Sequence, residues 1–120
     1  MMTDDTREDQ AARAFAALGN PKRLALYRTL VRAGEVGLNV GELQRLLEVP
    51  PSTLAHHLTA LVQAALVVQE RQGRETVSRV EYEQMRALAA YLVEECCTGV
   101  RIEGADVADR APEPQEIPGP

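Results

Sequence analysis

Two cysteines stand side by side, Cys96 and Cys97, and the chain of 120 residues has no others. Adjacent thiols near a helix end can chelate one thiophilic ion where the last turn frays. Soft thiolates select soft centres: trivalent arsenic or antimony, thiolate-bound zinc, cadmium or monovalent copper. The competing reading is a small buried hydrophobe, and helical periodicity places Cys96 on an apolar stripe. Glu94 and Glu95, with the negative end of the helix dipole, should raise the thiol pKa. Such thiols are poor redox nucleophiles, yet a bound metal still displaces their protons. A disulfide between neighbours needs a backbone that a helix cannot supply, which disfavours a simple dithiol switch. Tetrahedral zinc would require two further ligands, and there is no third cysteine. Arsenite takes three donors and would need hydroxide, a Glu or another chain's thiol. Methylarsenite already carries one carbon, so two thiolates complete it.

A second set of residues suits nucleic acid. Ser52, Thr53, His56, Thr59, Ala60 and Gln63 fall on or near one side of a helical segment whose other side is Leu54, Leu58 and Leu61. Small hydroxyls, an imidazole and an amide match base edges and phosphates in a major groove. Taken alone they could equally be a solvated face. His57 lies nearer the apolar stripe and reads as a packed or inter-helix residue. Arg71 and Arg74 flank a turn at Gly73, where two guanidinium groups suit phosphates or a narrow minor groove. Hairpin tips are polar in any case, and Glu70 and Glu75 weaken the local field. Lys22 is a candidate backbone contact, and Arg23 could equally be a structural ion-pair partner.

These residues need elements to hold them. A first helix, about 6–18, sets Ala11, Ala14, Phe15 and Leu18 along one stripe and stops at Gly19. Asn20-Pro21 caps and opens a second helix, about 21–33, with Leu24, Tyr27, Leu30 and Val31 inward. Gly37-Leu38-Asn39 is a turn, and Asn39 can cap a third helix, about 40–48, carrying Val40, Leu43, Leu46 and Leu47. Val49-Pro50-Pro51 breaks the chain. A fourth helix, about 51–64, turns Leu54, Leu58, Leu61 and Ala65 inward. The period then changes, and LVVQERQGRETVSRVEY alternates on either side of Gln72-Gly73 as a hairpin. A final helix, about 82–97, sets Met85, Leu88, Leu92 and Cys96 on one stripe. The order α-α-α-α-β-β-α is mainly helical with a small β-hairpin, and it makes a winged helix-turn-helix. Phe15 and Leu18, with Leu88, Tyr91 and Leu92, supply more apolar surface than one small domain needs, so the first and last helices should form a dimer.

Composition sets the frame. Apolar residues make up 45% and charged residues 26%, as in ordinary globular domains. No apolar run is long enough to span a membrane. The opening MMTDDTREDQ lacks the form of a secretory signal, so a cytoplasmic protein is expected. The net charge of −5 argues against a nucleic-acid partner until the chain is divided. Residues 11–80 hold nine Lys or Arg against five Glu, while 1–10 and 81–120 carry net −3 and −6. Local charge decides whether a phosphate backbone is attracted. The expected layout is a flexible segment over 1–9, the domain over 10–98 and a disordered acidic tail over 99–120. That tail holds seven Gly or Pro and five acids.

FAALGNPKRLALYRTL, then VGELQRLLEVPPSTLAHHLTALVQAALVVQERQGRETVSRV, then a helix ending EECC, resembles the arsenic-repressor (ArsR/SmtB) type of winged-helix transcriptional regulator over about 12–98. The resemblance implies a homodimer, with the last helix in its interface, that represses an operon and leaves operator DNA when an inducer binds. It favours ligation over burial for the Cys96-Cys97 pair. The chain departs from the family in lacking a Cys-x-Cys on the third helix, lacking His on the last, and carrying Pro50-Pro51 where polar residues begin the recognition helix. The leading expectation is a repressor of double-stranded operator DNA, needing no cofactor to bind it. Its release would come from arsenite, antimonite or methylarsenite. A persulfide, oxidant or soft-metal sensor of the same fold is the alternative. A thiol enzyme or metal-transfer protein is remote, since there is no Cys-x-x-Cys and no basic environment around the thiols.

Overall fold

Two helices of the amino-terminal half, α2 and α3, begin where the sequence supplies a capping side chain. In the computed structural model, which describes residues 4–102 and 105–106, the Asn20 side chain accepts from the amides of Lys22 and Arg23. Pro21 then opens α2 (Pro21–Ala33), where a missing donor costs nothing. Asn39 and Glu42 form a reciprocal capping box at the start of α3 (Val40–Leu47). Pro50 and Pro51 start α4 (Pro51–Gln63) without any capping side chain. α1 (Asp4–Leu18) precedes these, and α5 (Tyr82–Val93) follows the hairpin of β2 (Val67–Gln72) and β3 (Glu75–Val80).

The sheet has one strand more than the hairpin. β1 (Leu38–Asn39) pairs antiparallel with β3, Leu38 opposite Ser78 and Asn39 opposite Val77, giving the order β1-β3-β2. The segment expected to be only a turn is therefore also a sheet edge. A two-residue strand shows no alternation, so periodicity could not reveal it. Gly37 makes the close approach possible: it has φ 71°, and a Cβ there would lie 2.5 Å from the Ser78 carbonyl oxygen.

Leu26, Leu30, Leu43, Leu54, Leu61, Leu66 and Val67 are fully buried and bind α2, α3, α4 and the sheet into one core. Ala11, Ala14 and Ala17 bring α1 close against it. Several residues assigned inward lie at its margin: Leu24, Val40, Leu46 and Ala65 are exposed. Leu26 takes the buried position expected of Leu24, a shift of the stripe by about half a turn. Ala65 has φ 62° in the turn that delivers the chain from α4 to β2.

The ends differ from expectation. α1 starts at Asp4, so residues 4–9, assigned to a flexible segment, are helical. α5 stops at Val93, four residues before the expected end. Glu94 and Glu95 stand at the negative end of the helix dipole, and no basic residue occupies the last turn to offset them. Within the tail reading, β4 (Arg101–Ile102) pairs with β5 (Ala105–Asp106). Residues 1–3, 103–104 and 107–120 of the expected terminal segments lie outside the described residues. No described helix is long and apolar enough to cross a membrane.

Candidate nucleic-acid interface and thiol site

With Leu54, Leu58 and Leu61 buried, the opposite side of α4 is fixed outward. Ser52, His56, Thr59 and Gln63 are exposed, while Thr53 and Ala60 are half-buried. His57 is buried, 7% exposed. Its Nδ1 accepts from Arg23 Nε at 3.3 Å, and Arg23 also donates to the Ala17 carbonyl at 3.3 Å. Arg23 is thus a structural residue that ties α4 to the end of α1. Burial first, then the Arg23 charge, holds the His57 imidazole below its ordinary pKa. Lys22, next to Arg23, is exposed, and no carboxylate pairs with it among the described residues.

At the wing, the two-residue turn is Gly73-Arg74 rather than Gln72-Gly73, since Gln72 pairs with Glu75. Gly73 takes φ 65°, and a Cβ there would meet nothing within 4 Å. Arg74 therefore sits in the turn itself, whereas Arg71 lies on β2 opposite Thr76, and both are exposed. Glu70 does not neutralise them. It accepts from Arg79 across the strands at 2.7 Å, and that hydrogen bond lowers its pKa. Glu75, next to Arg74 and in no ion pair among the described residues, is the acid that still offsets the two arginines.

Cys96 and Cys97 lie beyond α5, in the turns that follow Glu94, and not on a helical stripe. Both are exposed free thiols, which excludes the buried-hydrophobe reading. Glu95 and Cys97 have φ of 65° and 64°, and this alternation folds the chain so that the two sulfurs stand 3.4 Å apart. The Cys96 thiol is held above its ordinary pKa chiefly by its hydrogen bond to Cys97, then by charge repulsion between the two sulfurs. The neighbouring glutamates, invoked from sequence, are not the cause. Because the pair is outside the helix, the helix-based objection to joining the sulfurs also lapses. Among the described residues, no group of three or more His, Cys, Asp or Glu could hold a metal ion.

One contact was not visible in the sequence. Arg7 on α1 donates to Glu94 at 2.9 Å and lies over the Tyr91 ring, 5.4 Å from its centre. This joins the start of α1 to the residue from which the thiol turn departs. Nothing in the spacing of residues 87 positions apart could have signalled it.

Comparison with known proteins decides what this geometry belongs to. The profile of a helix-turn-helix domain family matches residues 18–70. The chain is 28% identical over 89 residues to the HTH-type transcriptional regulator YgaV of Escherichia coli, covering 74% of this chain and 88% of that protein. An ArsR-like transcriptional regulator from Rhodococcus superposes with a TM-score of 0.62 at 26% identity, over 73% of this chain and 79% of that one. The chain carries a winged helix-turn-helix domain similar to those of ArsR-type transcriptional regulators. A homodimeric winged helix-turn-helix DNA-binding domain from Mycobacterium bovis, a possible ArsR-family regulator, also superposes with a TM-score of 0.62. It is 26% identical and covers 78% of this chain and 86% of its own. In ArsR-type terms, α3 and α4 are the helix-turn-helix and β2–β3 is the wing. The matching profile and the similar proteins are those of DNA-binding transcriptional regulators.

Proposed function

We propose that this ArsR-type regulator is a homodimeric repressor whose grip on operator DNA is released when trivalent arsenic or antimony, as arsenite, antimonite or methylarsenite, binds Cys96 and Cys97. The observation that carries the ligand is the pair of exposed thiols 3.4 Å apart, with no third donor grouped beside them among the described residues. A trivalent centre that already bears a carbon substituent needs only these two sulfurs. Methylarsenous acid would exchange its two hydroxyls for two thiolates, with the thiol protons leaving in two waters. Its arsenic stays trivalent, and because the bound centre displaces the thiol protons, the raised Cys96 pKa is no obstacle.

On the DNA side, Ser52, Thr53, His56, Thr59 and Gln63 are the residues for the major groove, and Arg71, Arg74 and Lys22 are those for phosphates. The DNA-binding and dimerisation domain would run from α1, which begins at Asp4, to about residue 98. Its second copy would pack on α1 and α5, because α5 buries only Leu88 fully while Leu92 and Val93 are 64% and 66% exposed. The homodimeric Mycobacterium bovis domain supports this arrangement. Leu88, assigned from sequence to the interface, belongs to the protomer's own core; Phe15, Leu92 and Val93 supply the face for a partner. The thiols then act at a distance from α4, through the setting of α5 on α1 that Arg7 and Glu94 help fix.

Thiol oxidation is the second reading, favoured by the closeness of two sulfurs that no helix constrains. A fluorescence-anisotropy titration of the protein–DNA complex separates the two. Release by methylarsenite in the presence of a monothiol reductant is the expected result. Release only by hydrogen peroxide or a persulfide donor, reversed by reductant, would replace arsenic sensing with redox sensing.

A further inference from the structure

Between the exposed side of α3 and the wing runs an open groove of about 450 Å³. Arg45 from α3 and Arg74 from the hairpin turn both line it, with Glu75 and Thr76 beside them. Neither arginine was singled out for an ion pair by the fold. Glu42, one turn before Arg45, would be its natural helical partner. That carboxylate instead accepts from the Asn39 backbone amide at 2.9 Å. Glu70, the acid nearest in sequence to the wing tip on β2, is taken by Arg79. The described ion pairs are Arg7–Glu94 and Arg79–Glu70, so both groove guanidiniums keep their charge and donors available.

Two guanidiniums brought to one groove from different elements of the DNA-binding unit present forked donors to an oxyanion. The groove is many times the roughly 30 Å³ that a water molecule takes in the liquid. A phosphate with the sugars on either side of it therefore has room. We propose that Arg45 and Arg74 hold the same phosphate of the DNA backbone, so that Arg45 is a positioning residue for operator binding. It would fix the wing's approach relative to the helix-turn-helix and carry no sequence information itself. Glu75, the remaining acid in the groove, would oppose the contact. The inference rests on the DNA-binding reading above and extends it to a residue that reading does not include.

The test uses the full-length protein and a random-sequence DNA duplex, with binding measured across a salt series. Arg45→Ala should weaken binding about tenfold, as expected for a lost charged contact. It should weaken an upstream operator duplex by the same factor. Each phosphate contact contributes about 0.9 to the slope of log affinity against log salt. The double variant Arg45→Ala with Arg74→Ala should therefore lose about one such unit in total, because one phosphate is shared. Glu75→Gln should tighten both duplexes. Unchanged affinity and slope for Arg45→Ala, beside normal binding by the unaltered protein, would overturn the shared contact alone. So would a loss of about two slope units in the double variant, which would place the arginines on separate phosphates. No binding of either duplex by the unaltered protein would overturn the DNA reading itself.

Discussion

His57 and His56 are neighbours with opposite fates, and the leucine stripe of α4 decides between them. His56 projects outward, and its partner turns into the joint between α2 and α4, where Arg23 donates to its Nδ1. Protonating His57 would remove that acceptor and set a cation beside Arg23. In the unfolded chain the imidazole titrates near 6.5, and in the folded protein it titrates lower. Between those two values the unfolded state binds more protons, so stability is full above about pH 6.5 and falls as the pH drops through the window. Melting temperature should decline on acidification from neutral pH in the unaltered protein, and more weakly in His57→Gln, whose amide oxygen still accepts from Arg23. Equal declines in both proteins would remove His57 as the cause. That His57 packs inward was legible in the sequence, because its place relative to Leu54, Leu58 and Leu61 is set by period. The identity of its partner was not, since Arg23 lies 34 positions away.

The elements followed the local chemistry where caps and breakers are strong. Asn20-Pro21, Asn39 with Glu42, and the two prolines at 50 and 51 define helix starts that the structure keeps. Two departures have physical causes. α5 ends early because glutamates oppose its dipole at the carboxyl end, a destabilising charge placement that outweighs the apolar period running on to Cys96. The thiols consequently sit in exposed turns. β1 escaped notice because two residues cannot display alternation, yet its pairing leaves a sharp steric demand at Gly37. Gly37→Ala would place a methyl 2.5 Å from the Ser78 oxygen and 2.8 Å from Val77 Cγ1, at a φ that L residues avoid. A loss of about 2–3 kcal/mol is expected in urea unfolding. A change within about 0.5 kcal/mol, as for an ordinary surface substitution, would show that β1 does not need this approach.

At the scale of the whole molecule, the proposed function depends on a second copy. Phe15 on α1 and Leu92 and Val93 on the 12-residue α5 are left exposed on their own protomer. Burying them across a two-fold axis would set two α4 helices about one DNA turn apart. Sedimentation at micromolar concentration should give a dimer, and Leu92→Glu should shift it towards monomer and weaken operator binding with it. A monomer in the unaltered protein would remove the expectation of a palindromic operator.

On the proposed function, release would be a change in dimer geometry, since the thiols lie on the segment after α5 and not on α4. Operator DNA and inducer should weaken one another by the same factor, typically about 1–3 kcal/mol of coupling. The most direct test is the anisotropy of an operator duplex titrated with methylarsenite in the presence of the unaltered protein, Cys96→Ser or Cys97→Ser. All three proteins should bind the duplex with nearly equal affinity before addition, and only the unaltered one should release it. Release from either serine variant at the concentration that frees the unaltered protein would contradict two-thiolate sensing.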